Sequence, residues 1–323
     1  MKLSSLEQKL LSLLSLNGDA SLPELARLAR SKAHACRYAL NNLYDQKLLT
    51  RRVIVNAFLL GYSIHALWFA LTRHARNKTT ALCAFLESSK VVGYFGEFAG
   101  TETPYRIDLY TRSAEELGAF FSDISERFGD VFARKEISVI QSITDYPLKY
   151  LYPERVDSGS SSVACASGSI MLDDVDRQIV RALATINTDS HARIARTLKL
   201  PVATFEYRVR RLRERKVIVG YHVWPNVEKL QELGFYSTVH RIKLRDNSRA
   251  GLRTIEVFAQ QEPTIFSYTR YIGQYDVELC SSTNSAELGE RFCINLERAL
   301  GDYCDTITSI PMRRHRKVTN HPG

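Results

Sequence analysis

Long apolar runs are missing from this 323-residue chain, and the longest, such as Ala66–Leu71, fall far short of the roughly 20 residues that span a bilayer. The opening stretch LSSLEQKLLSLLSL, residues 3–16, carries Glu7 and Lys9 among its leucines and runs straight into a second helical pattern. A signal peptide needs an unbroken apolar stretch and a cleavage site, so a folded helix in a cytoplasmic protein with no membrane partner is expected. No CxxC pair joins the six cysteines (Cys36, Cys83, Cys165, Cys280, Cys293, Cys304), and no His stands at metal-ligand spacing. Buried, reduced thiols are therefore expected, with neither a disulfide framework nor a metal. No Gly-rich loop joins a strand to a helix, and serine-nucleophile signatures are absent, so the chain reads as a non-enzyme without a cofactor.

Hydrophobic residues make up 45% and charged residues 24%, which suits a folded protein of two to four compact units. The net charge of +9 is unevenly placed. Residues 1–52 hold nine Lys/Arg against four Asp/Glu, and residues 171–222 hold eleven against six, while the rest is near neutral. Two basic segments beside neutral ones are what a polyanion-binding module attached to another domain would leave, although a solvated basic face has the same charge.

The two basic segments are copies of each other. A shift of 169 places Leu6 on Val175, Leu10 on Ile179, Leu14 on Leu183, Ser21 on Ser190, Leu25 on Ile194 and Leu43 on Leu212. After small drifts, Gly100 meets Gly273 and Glu116-Leu117-Gly118 meets Glu287-Leu288-Gly289. Between the copies, PERVDSGSSSVACASGSI (Pro153–Ile170) has no apolar periodicity and reads as a flexible linker.

Each copy opens with three short helical patterns. Ser4-x-x-Glu7 is a capping box ahead of Leu6, Leu10, Leu13 and Leu14, and Ser21-Leu22-Pro23-Glu24 opens a second helix. The third covers about Lys32–Asp45. In the second copy, Asp173 or Asp174, then Asp189-Ser190, then Leu200-Pro201 precede the corresponding helices, the last spanning Val202–Arg215. Three small helices with a tight turn before the last form the helix-turn-helix pattern. An inward stripe of Val202, Phe205, Val209 and Leu212 turns Ala203, Tyr207, Arg210, Arg211 and Glu214 outward, flanked by Thr204, Glu206 and Arg208. The first copy presents His34, Tyr38, Asn41, Asn42 and Asp45, flanked by Ala35 and Arg37. Small or hydroxylated residues early and Tyr and Arg later suit a helix that reads bases and grips phosphates of double-stranded DNA. The candidate DNA contacts are Ala203, Thr204, Tyr207, Arg208, Arg210 and Arg211 in one copy and His34, Ala35, Arg37, Tyr38 and Asn41 in the other.

The remainder of each copy alternates as strand, helix, strand, strand, helix, strand. In the first copy, strands are predicted over Ile64–Thr72, Val91–Ala99, Arg106–Tyr110 and Ile137–Ile143, with helices near Lys78–Ser88 and Ala114–Phe128. In the second, the strands are Phe235–Leu244, Thr264–Ile272, Val277–Ser282 and Thr306–Arg313, with helices over Ser248–Gln260 and Ser285–Leu300. The expected fold class is α+β: two tandem (winged) helix-turn-helix domains, each followed by a βαββαβ ferredoxin-like domain. The boundaries are 1–54, 55–150, 151–170 (linker), 171–222 and 223–317. The uncovered sheet face needs a partner, and a matching sheet is the simplest one.

LDDVDRQIVRAL (Leu172–Leu183), ARIARTL (Ala192–Leu198) and VRRLRERKVIVGY (Val209–Tyr221) together resemble the leucine-responsive/asparagine-regulator (Lrp/AsnC) family of transcription factors. Tyr271-Ile272-Gly273-Gln274-Tyr275-Asp276 is similar to that family's glycine-x-tyrosine-aspartate turn. The resemblance covers nearly all of the second copy and, more weakly, the first. It implies a regulator whose α/β domain dimerises sheet to sheet, self-associates into oligomers and binds a small-molecule effector, often an amino acid. Gly273, Gln274, Tyr275 and Asp276 are the candidate effector residues, although Gly and Asp also suit a plain tight turn. Two copies in one chain depart from the family's usual single copy, so one chain can form the pseudo-dimer. The first copy reads GTETPYR at 100–106, with Arg106 where the second has Asp276. The alternative is an enzyme similar to sirohaem decarboxylases, which share the architecture. Arg51-Arg52 sits suggestively for that reading, but Val53-Ile54 follows where glycine is expected, and no His/Arg cluster marks strands 91–99 or 264–272.

Overall fold

The leucine spacing of the opening residues becomes helix α1 (Ser5–Leu14) in the computed structural model, which describes residues 3–152, 159–166, 168–185 and 190–319. Its capping box is complete: Glu7 N–H donates to Ser4 Oγ (3.3 Å) and Ser4 N–H to Glu7 Oε2 (2.7 Å). Helices α2 (Leu22–Ala29), capped by Ser21, and α3 (Ala33–Asp45) complete the first head. Strand β1 (Leu49–Val55) leads to β2 (Ser63–Leu71), α4 (Thr79–Ser88), β3 (Val92–Phe98), β4 (Tyr105–Thr111), α5 (Ala114–Phe128) and β5 (Phe132–Asp145).

The segment read as a flexible linker carries a strand, β6 (Ser161–Ala164), which pairs with the end of β5. Residues 153–158 and 167 of that segment lie outside the described residues.

In the second copy Asp173, rather than Asp174, caps α6 (Asp174–Thr185), accepting from Asp176 N–H at 2.7 Å. Ser190 caps α7 (His191–Thr197), and Asp189 lies outside the described residues. There follow α8 (Val202–Glu214), β7 (Ile218–Pro225), α9 (Val227–Glu232), β8 (Tyr236–Leu244), α10 (Arg249–Gln261), β9 (Ile265–Ile272), β10 (Val277–Thr283), α11 (Ala286–Leu300) and β11 (Cys304–Val318). Val202, expected inward, is exposed because it starts its helix beyond the edge of the packed stripe of Phe205, Val209 and Leu212.

The two α/β domains share one sheet. Within each copy the spatial order is the ferredoxin-like one, β5-β2-β4-β3 and β11-β8-β10-β9. The last strand of each copy outruns its own partner and pairs with the other copy: β5 runs beside β9, and β11 beside β3. With β2 also paired to β5, eight strands close into an antiparallel barrel, which leaves no free edge among them. The expected partner sheet is therefore present, but it is joined edge to edge within one chain. Helices cover the outside, where α4 and α5 seal a core of Leu67, Phe95 and Ile107, and α10 and α11 seal one of Ile242, Ile265 and Leu279.

Below the heads, β1 and β7 form an antiparallel ribbon with Arg52 opposite His222. The ribbon crosses the copies. Val53 and Val55 of the first copy sit in the core of the second head, while Val223 of the second packs into the core of the first. Each head thus depends on a strand from the other copy for its apolar burial.

Candidate DNA interface

The turn before each third helix is closed by a residue in the left-handed region, Arg30 (φ 51°) in the first copy and Lys199 (φ 54°) in the second. The turn after it repeats the device with Lys47 (φ 55°) and Lys216 (φ 58°). These four are the non-glycine residues of positive φ among the described residues, they fall at equivalent repeat positions, and all are exposed cations. Left-handed backbone costs an L residue roughly 1–2 kcal/mol, which glycine avoids. Retaining Arg or Lys there keeps positive charge at the two turns that flank α3 and α8.

Between those turns, Tyr38 (77% exposed) and Tyr207 (51%) stand at equivalent points of α3 and α8. Arg210 and Arg211 flank the Tyr207 ring at 5.7 and 5.8 Å and stay exposed, as do Ala203 and Thr204. His34, Arg37 and Asn41 are exposed on α3, and Ala35 is half-buried. Two residues read as outward are drawn inward. Arg208 is bound to Asp173 (2.7 Å) and Asp176 (2.8 Å) of α6, which holds the Asp173 carboxyl below its ordinary range. Asn42 donates to Glu7, a buried carboxylate at the repeat position of Asp176. In both cases the first helix carries an acid that a residue of the third helix must satisfy, and that demand outweighs exposure.

The heads are locked together as well as to the ribbon. Arg213 of α8 pairs with Asp19 of the first head at 2.6 Å. Gly18 N–H donates to the Tyr221 carbonyl at 2.7 Å, an approach so close that a Cβ on Gly18 would meet that oxygen at 2.9 Å. Arg51 lies over the Tyr221 ring at 4.5 Å. A cleft of about 570 Å³ between the heads is lined by Asp19, Arg37, Asn41, Arg51, His191 and Arg213.

The turn between β9 and β10 is held by internal contacts. Asp276 accepts from Leu244 N–H (2.8 Å) and pairs with Lys243 (3.1 Å). The Tyr275 ring lies 4.3 Å from the Arg241 guanidinium, which also stacks on Trp68 of the first copy at 4.6 Å. A Cβ on Gly273 would collide with Ser138 of β5, so glycine lets the copies approach there. Gly273 and Gln274 face solvent.

Strand register corrects the pairing of Arg106 with Asp276. Trp68 faces Arg106 across β2 and β4, and Arg241 faces Glu278 across β8 and β10, so the residue equivalent to Arg106 is Glu278. The extra residues of GTETPYR lengthen the hairpin and shift the count. These equivalent residues also meet each other: Arg106 Nη1 donates to Glu278, its Nε to Asp108 (2.9 Å) and its Nη2 to Tyr271 Oη (3.0 Å), all buried. Burial alone would lower the Arg106 pKa, but Asp108 and Glu278 outweigh it and hold the guanidinium charged. Burial pushes the Asp108 carboxyl up despite Arg106. Beside this cluster the barrel encloses about 100 Å³. At one end of that space burial pushes Asp145 up to about 7 and its neighbour His222, at 3.5 Å, down to about 4.

Among the described residues no helix is long and apolar enough to cross a membrane, and no group of three His, Cys, Asp or Glu could hold a metal ion. All six cysteines are free; Cys36, Cys83 and Cys304 are buried, but Cys165 and Cys293 are exposed, against the expectation of buried thiols.

No family model matches the chain. An uncharacterised HTH-type transcriptional regulator of Pyrococcus horikoshii is 29% identical over 142 residues, covering 43% of this chain and 92% of that protein. One from Pyrococcus abyssi is 28% identical with the same coverage. A single-copy regulator thus spans a little under half of a chain that repeats itself. The chain is thus similar to HTH-type transcriptional regulators, and two copies in one chain fit that coverage. The crystal structure of the sirohaem decarboxylase NirDL is similar to this chain in fold along its length, with a TM-score of 0.60 over 98% of it and 93% of that protein, at 12% identity. The co-complex of NirDL with an iron-uroporphyrin III analogue matches equally (TM-score 0.60, 11% identity, 99% and 94% covered).

Proposed function

We propose that this chain is a sequence-specific DNA-binding transcriptional regulator that reads one double-stranded DNA with two unlike heads. The observation that carries this reading is the set of exposed cations kept in left-handed turns around α3 and α8, flanking exposed Tyr38 and Tyr207. The ribbon and the Arg213–Asp19 pair fix the heads relative to each other, so two half-sites at one fixed spacing are read. Because α8 offers Arg210 and Arg211 where α3 offers Asn41 and keeps Asn42 on Glu7, the half-sites differ and the operator is asymmetric. Asn41 is suited to adenine, and the arginines to guanine or phosphate. A small molecule of amino-acid type acts as effector at the solvent-facing Gly273–Gln274 turn, which lies against Ser138 of the other copy through Gly273. Selection of bound fragments from random DNA at physiological salt tests this reading: enrichment of one site with two unlike halves is expected.

The second reading, a sirohaem-decarboxylase-like enzyme, is favoured by the whole-length fold likeness to NirDL and by Arg51-Arg52 on the ribbon. Inside the barrel the space is only about 100 Å³, where ligand pockets for larger molecules run from about 300 to 1,000 Å³, so a tetrapyrrole would have to take the cleft of about 570 Å³ between the heads. A tetrapyrrole titration that shifts the absorbance band on adding protein would support the enzyme.

A further inference from the structure

Several arginines in this structure find carboxylate partners. Arg106, Arg208, Arg213, Arg241, Arg314 and Arg316 each hold a carboxylate. Arg52 on β1 does not. It is half-buried, its Nε is shut off from solvent with no hydrogen-bond partner, and among the described residues it makes no ion pair or ring contact. Burial lowers its pKa, the response of a cation that no anion compensates. A second orphan faces the same place: His315 of β11 has a buried Nδ1 without a partner.

Arg52 and His315 line a pocket of about 150 Å³ where the ribbon meets the barrel. Trp224 and Val227 give it an apolar wall, Lys317 and the Glu87- and Glu97-paired Arg316 add cations, and Glu228 a carboxylate. The Lys317 ammonium donates to the Ser89 carbonyl at 2.6 Å and lies within the field of Glu87. A buried donor left without an acceptor is costly, and a guanidinium is best satisfied by the two oxygens of a planar anion. Phosphate would meet the charge but leave the apolar wall bare. The volume suits a molecule of about six or seven heavy atoms, as a cavity of that size holds a benzene.

We propose that this pocket binds a small organic carboxylate with an apolar body, its carboxylate on Arg52 and His315 and its body against Trp224 and Val227. Arg52 and Trp224 lie on the two strands that carry the heads, and His315 lies on a barrel strand that joins the copies. Ligand binding therefore bears on the ribbon directly, at a site separate from the Gly273–Asp276 turn.

The test uses the full chain and three probes: isovalerate, its neutral amide isovaleramide, and inorganic phosphate. Tryptophan fluorescence reads binding, since the chain has only Trp68 and Trp224. Isovalerate is expected to give a saturable change that isovaleramide does not, weakened about tenfold or more in R52Q and less in R52K, with unchanged circular dichroism. H315Q, which keeps a donor, is expected to bind more tightly than H315L. The proposal is overturned if isovalerate gives no change at about 10 mM, below the affinity of any specific site. It is equally overturned if isovaleramide binds as well, if phosphate binds better, or if R52Q binds like the parent chain. The readout is independent of DNA, so its failure leaves the regulator reading standing.

Discussion

Replacing Arg106 with methionine isolates the buried charges that join the two copies. Asp108 and Glu278 are 8% and 2% exposed, and Arg106 is the cation paired with both. Removing it leaves two carboxylates facing each other out of water, a loss of about 3–5 kcal/mol for breaking a buried pair. At roughly 2–4 °C per kcal/mol for domains of 150–250 residues, R106M should melt about 10 °C lower. E278Q acts differently. It leaves one cation with one carboxylate, so its cost should be only about 1 kcal/mol. In the double variant R106M/E278Q only Asp108 stays unpaired, and burial already pushes it toward its protonated form. The double variant should therefore be less damaged than the sum of the singles by at least about 2 kcal/mol, read by thermal unfolding of all four proteins. Additivity within about 0.5 kcal/mol, or an E278Q loss as large as that of R106M, would refute the argument.

K199G should raise thermal stability by about 1 kcal/mol by relieving the left-handed backbone, yet weaken DNA binding and lower its salt slope by about one; an unchanged affinity would remove the cation from the interface. R210A/R211A should lower the slope by about two, measured by titration across salt concentrations. N41A should cost about 1–3 kcal/mol of discrimination at one half-site and none at the other, seen by competition with single-base variants. Stability should rise between about pH 4 and 6.5. Burial holds His222, His240 and His315 near 4, so the unfolded chain binds more protons in that window and the stability is lost as pH falls through the folded values. Asp145, pushed up to about 7, opposes this with stability that is lost as pH rises. Each uncompensated proton contributes up to about 1.4 kcal/mol per pH unit, and D145N should steepen the rise; a flat profile in unfolding at several pH values would contradict it.

Local signals in the sequence are enough for the helices of both heads and those that cover the barrel. Ser4 and Glu7 announce α1, and the pattern over Ala114–Phe128 gives α5 to the residue. The strands that end each copy were legible only in part. Ile137–Ile143 and Thr306–Arg313 grow to Phe132–Asp145 and Cys304–Val318, because residues 132–136 are ordered by β2 of the same copy and the ends at 144–145 and 314–318 by strands of the other copy, rather than by their own periodicity. Helix α9 escaped notice, although Asn226 caps it and Gly234, at φ 86°, follows it. In the third helices the 100° wheel placed Tyr38, Tyr207, Arg210 and Arg211 outward but could not foresee that Glu7 and Asp176 would claim Asn42 and Arg208. Arg52, Trp224 and His315 meet from three distant parts of the chain, and no spacing rule could have joined them.

Footprinting of the purified protein on its selected DNA site tests the central claim most directly. Two unlike protected half-sites at one spacing, with one lost on R210A/R211A and the other on Y38A/N41A, is the predicted result. Equal binding to all fragments, or protection of a single half-site unaffected by either pair, would contradict it.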